Sequence, residues 1–133
     1  MKDSYTLKSM AVLLENNKIS SKELTSEYLK NIEKGKELNC YNTISQEKAL
    51  IDAEKSDERR KGQNLRSKYD GIPIGIKDLF CTKGVTTTAS SKILSNFVPN
   101  YESTVTQNCD DAGLISLGKL NCDEFAMVST KNN

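Results

Sequence analysis

The stretch that most constrains this chain is Asp70–Asp78, where an Asp-Gly turn leads into the apolar run Ile72-Pro73-Ile74-Gly75-Ile76 and Lys77-Asp78 follows without a spacer. A compact apolar run that holds Pro and Gly and starts at a turn reads as a strand. A second run, Leu114-Ile115-Ser116-Leu117-Gly118, reads as a buried strand. Between the two lie a Thr-rich loop, Thr82 to Ser91, and a helix candidate, Ser103–Ala112, with Val105, Cys109 and Ala112 inward and Gly113 at its end. Asp123–Met127 starts a further helical turn.

The residues before Tyr69 carry a different period. Leu7, Met10, Ala11 and Leu14 recur at helical spacing, with Asn16-Asn17 as the stop. Ser20-Ser21-Lys22-Glu23 is a capping box that opens a helix with Leu24, Tyr28, Leu29 and Ile32 on its apolar side and Gly35 as a left-handed terminator. Cys40–Ile44 leans toward β structure, and Gln46–Lys61 returns to helix with Ala49, Leu50 and Ala53 buried. Its charged end, Lys55–Lys61, reads as a solvated face. The order of helices, strand, helix and strand gives an α/β class, with residues 1–68 as a helical region and 69–133 as the start of the α/β core.

Several functions are excluded early. The 133 residues contain no histidine, which removes Ser-His-Asp and Cys-His constellations and most catalytic metal sites. Glycines are too scattered for a phosphate-binding loop. The net charge of +1 and the lack of an aromatic-basic patch disfavour a nucleic-acid-binding domain. Cys40, Cys81, Cys109 and Cys122 show no ligand-like spacing and read as free thiols. With neither a secretory leader nor a membrane-length apolar run, the sequence points to a soluble protein of the cytoplasm or an organellar matrix.

Lys77 is the leading candidate for chemistry because an apolar strand delivers it to a strand end, where α/β folds build their sites. Loss of solvent there would favour the neutral amine and make it a usable general base for a hydroxyl nucleophile. Lys119, placed after the strand 114–118, has a similar position. Position alone also fits a lysine that merely ends a strand and pairs with Asp78 or water. Thr86-Thr87-Thr88 and Ser90-Ser91 read as loop hydroxyls, and Asp123-Glu124 as carboxylates at a helix start.

The words of the second half are specific. Asp70-Gly71-Ile72-Pro73-Ile74-Gly75-Ile76-Lys77-Asp78 resembles the lysine-bearing motif of the amidase-signature family. The resemblance continues through Thr82–Thr88, Ala89–Leu94, Asn96–Pro99, Ala112-Gly113, Gly118-Lys119 and Asn121–Met127 in order and spacing, so it covers Tyr69 to Met127 closely. It implies an incomplete amidase-signature fold, in which N-terminal helices precede the first strands of a mixed sheet covered by helices. It also implies that Lys77 is the base of a Ser-cis-Ser-Lys triad. Met127 and Ser129 would then lie near the substrate pocket.

Within the family, the wording of Ser91–Leu94, Phe97–Pro99 and Asp123–Met127 is most similar to the branch that serves tRNA-dependent amidation. That similarity implies a glutamine-hydrolysing enzyme, a carbon–nitrogen ligase with glutamine as amido donor, which works with amidotransferase subunits B and C. Glu-tRNA(Gln) would be reached through the complex, and ATP and Mg would be used by a partner subunit, with no cofactor on this chain. Both triad serines and the oxyanion-hole amides belong to Gly-Ser-rich blocks that do not occur before Asn133, and Val128–Asn133 departs from the family wording. The expectation is therefore a truncated chain that is inactive alone. The alternatives are a piece of another amidase-signature hydrolase acting on a different amide, and a non-catalytic truncated chain.

Overall fold

The computed structural model describes residues 6–127. Helices α1 (Leu7–Glu15) and α2 (Ser21–Lys34) both start on hydroxyl caps. At α2 the capping box closes: Glu23 N–H donates to Ser20 Oγ at 3.1 Å, and Ser20 N–H donates to the Glu23 carboxylate at 2.9 Å. At α1 the reciprocal pair is Thr6 with Ser9, which lacks the acidic residue that advertises such a box. Gly35 does not take the left-handed conformation expected of it. Leu38 N–H bonds Gly35 O at 3.0 Å, so the chain tightens into a 3₁₀ turn, Lys36–Leu38, and the left-handed residue is Asn39, at φ 50°.

The N-terminal half also contributes a strand, β1 (Tyr41–Ile44), so the β-leaning segment within it belongs to the sheet. Helix α3 (Gln46–Lys61) follows with the expected bounds, and its Ala49 and Ala53 are wholly buried. These alanines pack with Leu29 of α2 and with Ile115 and Leu117. A second cluster joins Met10, Leu14, Leu24 and Ile72, which ties α1 and α2 to the segment before the next strand. Helices α2 and α3 are also joined at their ends. Asp57 of α3 accepts Ser21 N–H at 2.7 Å and Lys22 N–H at 3.1 Å, so a carboxylate of one helix caps the first turn of the other.

Strand β2 (Pro73–Lys77), helix α4 (Thr104–Asp111) and strand β3 (Ile115–Leu120) complete the order, with β3 at the centre of a sheet arranged β1-β3-β2. β3 runs parallel to β2 and antiparallel to β1, which makes the sheet mixed. On α4 the inward residue is Thr106, whose hydroxyl donates to Cys81 O at 2.9 Å, whereas Val105 is 45% exposed. Apolar spacing alone puts Val105 inside; instead the neighbouring hydroxyl turns in and joins Ser103 N–H on the Cys81 carbonyl.

Two glycines make the close approaches possible. Gly113, at φ 80°, ends the α4 segment, and a Cβ there would lie 2.4 Å from Asp70 Cγ. Gly118, at φ 140°, would place a Cβ 2.2 Å from Thr43 O across the β1–β3 pair. Beside Gly118 the ladder slips: Ile74 pairs with Ser116 but Ile76 pairs with Lys119, so β3 carries one extra residue. A slip of one residue reverses the face of everything after it. Ile115 and Leu117 therefore pack on α2 and α3, while the Lys119 amine reaches Phe80, Thr82 and Thr87.

Candidate active site

The expected lysine stands where the sequence placed it, as the last residue of β2, opposite Leu120. Its side chain is exposed, so among the described residues nothing supplies the desolvation anticipated for it. The backbone turns at once, with Phe80 N–H donating to Lys77 O at 3.1 Å.

The next residue is the hub. Asp78 N–H bonds Leu120 O at 2.9 Å, and its buried carboxylate accepts Asn42 Nδ2 at 2.8 Å, Thr88 N–H at 3.1 Å and the Thr88 hydroxyl at 2.5 Å. Ala89 N–H returns to Asp78 O at 2.8 Å. The loop between 79 and 88 is thus tied at both ends to the tip of β2. Asn42, the extra residue in the irregular β1–β3 register, supplies its amide to Ser90 Oγ as well, at 2.8 Å.

Among the loop hydroxyls, those of Thr87, Thr88, Ser90 and Ser91 are committed. Thr88 donates to Asp78, Ser90 donates to Asn121 Oδ1 at 3.0 Å, and Ser91 donates to Glu124 Oε1 at 2.6 Å. Ser90 Oγ also accepts Cys122 N–H at 3.0 Å, and Phe125 N–H donates to Ala89 O at 2.9 Å. To make these bonds Ala89 and Ser90 adopt φ 49° and 54°, and Phe125 and Ala126 adopt 52° and 55°. A hydroxyl whose proton already serves a neighbouring oxygen is a poor nucleophile without a base beside it, so these residues build the floor of the site.

Lys119 differs from its expected placement. It lies inside β3, wholly buried, and the extra residue in that strand turns it off the Ile115–Leu117 face toward the loop that follows Lys77. Its amine donates to Phe80 O, to Thr82 Oγ1 at 3.0 Å and to Thr87 Oγ1 at 2.9 Å, with Asp78 Oδ1 at 3.9 Å. Burial pushes this amine down from the ordinary lysine range, and the Asp78 carboxylate partly opposes that shift. The available signal is a lysine between five mostly apolar residues and Leu120, whereas ending the strand at Gly118 leaves that lysine outside it. Glu124 accepts from Ser91, and Asp123 precedes the 3₁₀ turn Glu124–Ala126, to which it contributes a backbone carbonyl for Ala126 N–H and no side-chain bond. Met127, expected near the substrate, is 73% exposed, and Ser129 lies outside the described residues.

At the other end of β2, Asp70 is also wholly buried. Arg59 grips it with a two-pronged fork, Nε to Oδ2 at 2.8 Å and Nη2 to Oδ1 at 2.7 Å, and Arg66 N–H adds a bond at 2.9 Å. Burial pushes the Asp70 carboxyl up, but the Arg59 fork and the Arg66 N–H outweigh it, and the net shift is downward.

Comparison with known proteins places this geometry. The amidase family profile matches residues 23–133. The A subunit of glutamyl-tRNA(Gln) amidotransferase from Pelagibacter ubique (strain HTCC1062) is 50% identical over 127 residues, which are 96% of this chain and 26% of that protein. Its counterpart from Hahella chejuensis (strain KCTC 2396) is 46% identical over 131 residues, 97% of this chain and 27% of that one. Among solved structures, the peptide amidase of Stenotrophomonas maltophilia superposes with a TM-score of 0.87 at 26% identity, over 92% of this chain and 26% of its own. The chain spans about a quarter of the length of the curated relatives it matches.

Proposed function

Because the chain belongs to the amidase family, we propose that the complete protein is the glutamine-hydrolysing subunit of a tRNA-dependent amidotransferase, in which Lys77 is the general base. The observation that supports this most is the 50% identity to the A subunit of glutamyl-tRNA(Gln) amidotransferase across 96% of the chain, a stretch that includes the strand delivering Lys77.

The chemistry assigned to this chain is narrow. The Lys77 amine, held at the end of β2, takes a proton through a bridging serine as a second serine attacks the glutamine side-chain amide; that proton returns to the amide nitrogen as the C–N bond breaks and ammonia leaves, and water then hydrolyses the glutamyl ester. Both serines belong to the family's later blocks, so the 133 residues alone release no ammonia from glutamine. Cover over Lys77 from those blocks would supply the water exclusion that keeps the amine neutral. The ammonia passes to partner subunits B and C, where ATP and Mg activate Glu-tRNA(Gln) for conversion to Gln-tRNA(Gln). This chain contributes no group to that second step.

A second reading has its own support: the likeness to a peptide amidase fits a hydrolase for a different amide. The test is to purify the full-length protein with its partner subunits and measure ammonia released from glutamine, asparagine and an amidated peptide. Preference for glutamine is the expected result, and preference for the peptide amide would transfer the assignment to the second reading.

A further inference from the structure

The Lys119 amine sits on a side chain of 0% exposure and is surrounded by oxygen. Its protonation state follows from its neighbours. The Thr82 hydroxyl donates to Phe80 O at 3.2 Å and the Thr87 hydroxyl donates to Val85 O at 3.1 Å, so each has already committed its single proton. Both can only accept from Lys119, and the third neighbour, Phe80 O, is a carbonyl. Three acceptors need three N–H groups, and only the ammonium has them. The Asp78 carboxylate at 3.9 Å supplies the opposite charge.

A buried ammonium bonded to three acceptors ties together the segments that supply them, because removing it takes that donor from all three at once. What it holds is the path of the chain directly after Lys77. Phe80, Thr82 and Thr87 all lie on the loop between Asp78 and Thr88, and Asp78 closes the circuit by binding Thr88 and Leu120 O. The geometry points to Lys119 as a positioning residue for the Lys77 amine: its ammonium draws the 80–87 loop onto β3 and so fixes the end of β2 from which Lys77 projects. The functional meaning of this positioning rests on the role given to Lys77 above, but its structural content can be measured separately.

The experiment uses the full-length chain and two variants, Lys119→Met and Thr87→Val, the second of which removes one acceptor while leaving the ammonium in place. Two ratios are read by mass spectrometry. The first is the acetylation rate of Lys77 over that of Lys30, an exposed lysine on α2. The second is the hydrogen exchange of the Asp78 and Ala89 amides over that of amides in α2 and α3. A positioning role predicts that the first ratio shifts by about threefold or more and the second rises by about tenfold in Lys119→Met, with smaller shifts of the same sign in Thr87→Val. Uniform loss of protection with an unchanged Lys77 to Lys30 ratio would reduce Lys119 to a general structural residue and overturn the proposal. Should Lys119→Met fail to fold, Thr87→Val decides alone by the same two ratios. Neither ratio depends on amide hydrolysis, so failure of the Lys77 assignment would appear in the ammonia assay and not here.

Discussion

The two ends of β2 solve the burial of charge in opposite ways. At its start, the Asp70 carboxylate meets a guanidinium fork and a backbone N–H, all fixed by α3 and by the turn into the strand. At its finish, the Lys119 ammonium meets two hydroxyls and a carbonyl on a loop, with its counter-charge at 3.9 Å. The first arrangement joins regular elements and resists change. The second shapes a loop, and its counter-charge, Asp78, lies one residue from the amine assigned to chemistry. The strand is thus anchored at one end, and the other end carries the lysine proposed for chemistry, in keeping with the way α/β folds separate scaffold from site.

Substitutions should sort the two ends by size of effect. Asp70→Ala leaves the Arg59 guanidinium without its partner in a half-buried position and is expected to cost about 3–5 kcal/mol in denaturant unfolding. A loss under about 1 kcal/mol would show that the fork is not an anchor. Gly113→Ala attacks the same node from outside, because the new methyl would meet the Asp70 carboxylate, and should be nearly as damaging. Ser20→Ala removes one cap of α2 and is expected to cost about 1 kcal/mol by thermal melting, since Asp57 still holds the first turn. Lys77→Met should change stability by less than about 0.5 kcal/mol because the side chain is exposed and makes no part of the core.

The two ends should also part in their response to pH. Asp70 titrates lower in the folded chain than in the unfolded chain, so its contribution is complete above the unfolded value of about 3.9 and disappears as pH falls through the lower folded value. Acid unfolding monitored in Asp70→Asn should lose that part of its pH dependence. Lys119 has the opposite consequence. With its folded value depressed, the burial cost is fully present below that value, and stability rises with pH from there to the unfolded value of about 10.4. Lys119→Met should flatten the alkaline limb; an unchanged limb would mean that Lys119 titrates alike in both states.

Local signals carried much of this architecture. The box at Ser20 and Glu23, the bounds of α3 and the delivery of Lys77 by β2 all depend on residues a few positions apart. What escaped depends on distant partners. The pairing of β1 with β3 joins Tyr41 to Leu120, and no period within 41–44 announces it. Simple alternation puts Lys119 on the face of Ile115 and Leu117, and only the slipped register beside Gly118 moves it. Thr106 turns inward onto Cys81 O, a contact with a residue 25 positions away. The Asp78 hub was legible only as the neighbour of Lys77, because its partners Asn42, Thr88 and Lys119 come from three separate segments.

The amine at the end of β2 carries the functional assignment and can be tested directly. In the full-length protein assembled with its partner subunits, Lys77→Met should lower ammonia release from glutamine by about a thousandfold, the loss expected when a general base is removed, while melting temperature stays within about 1–2 °C. An undiminished rate in that variant would contradict the assignment.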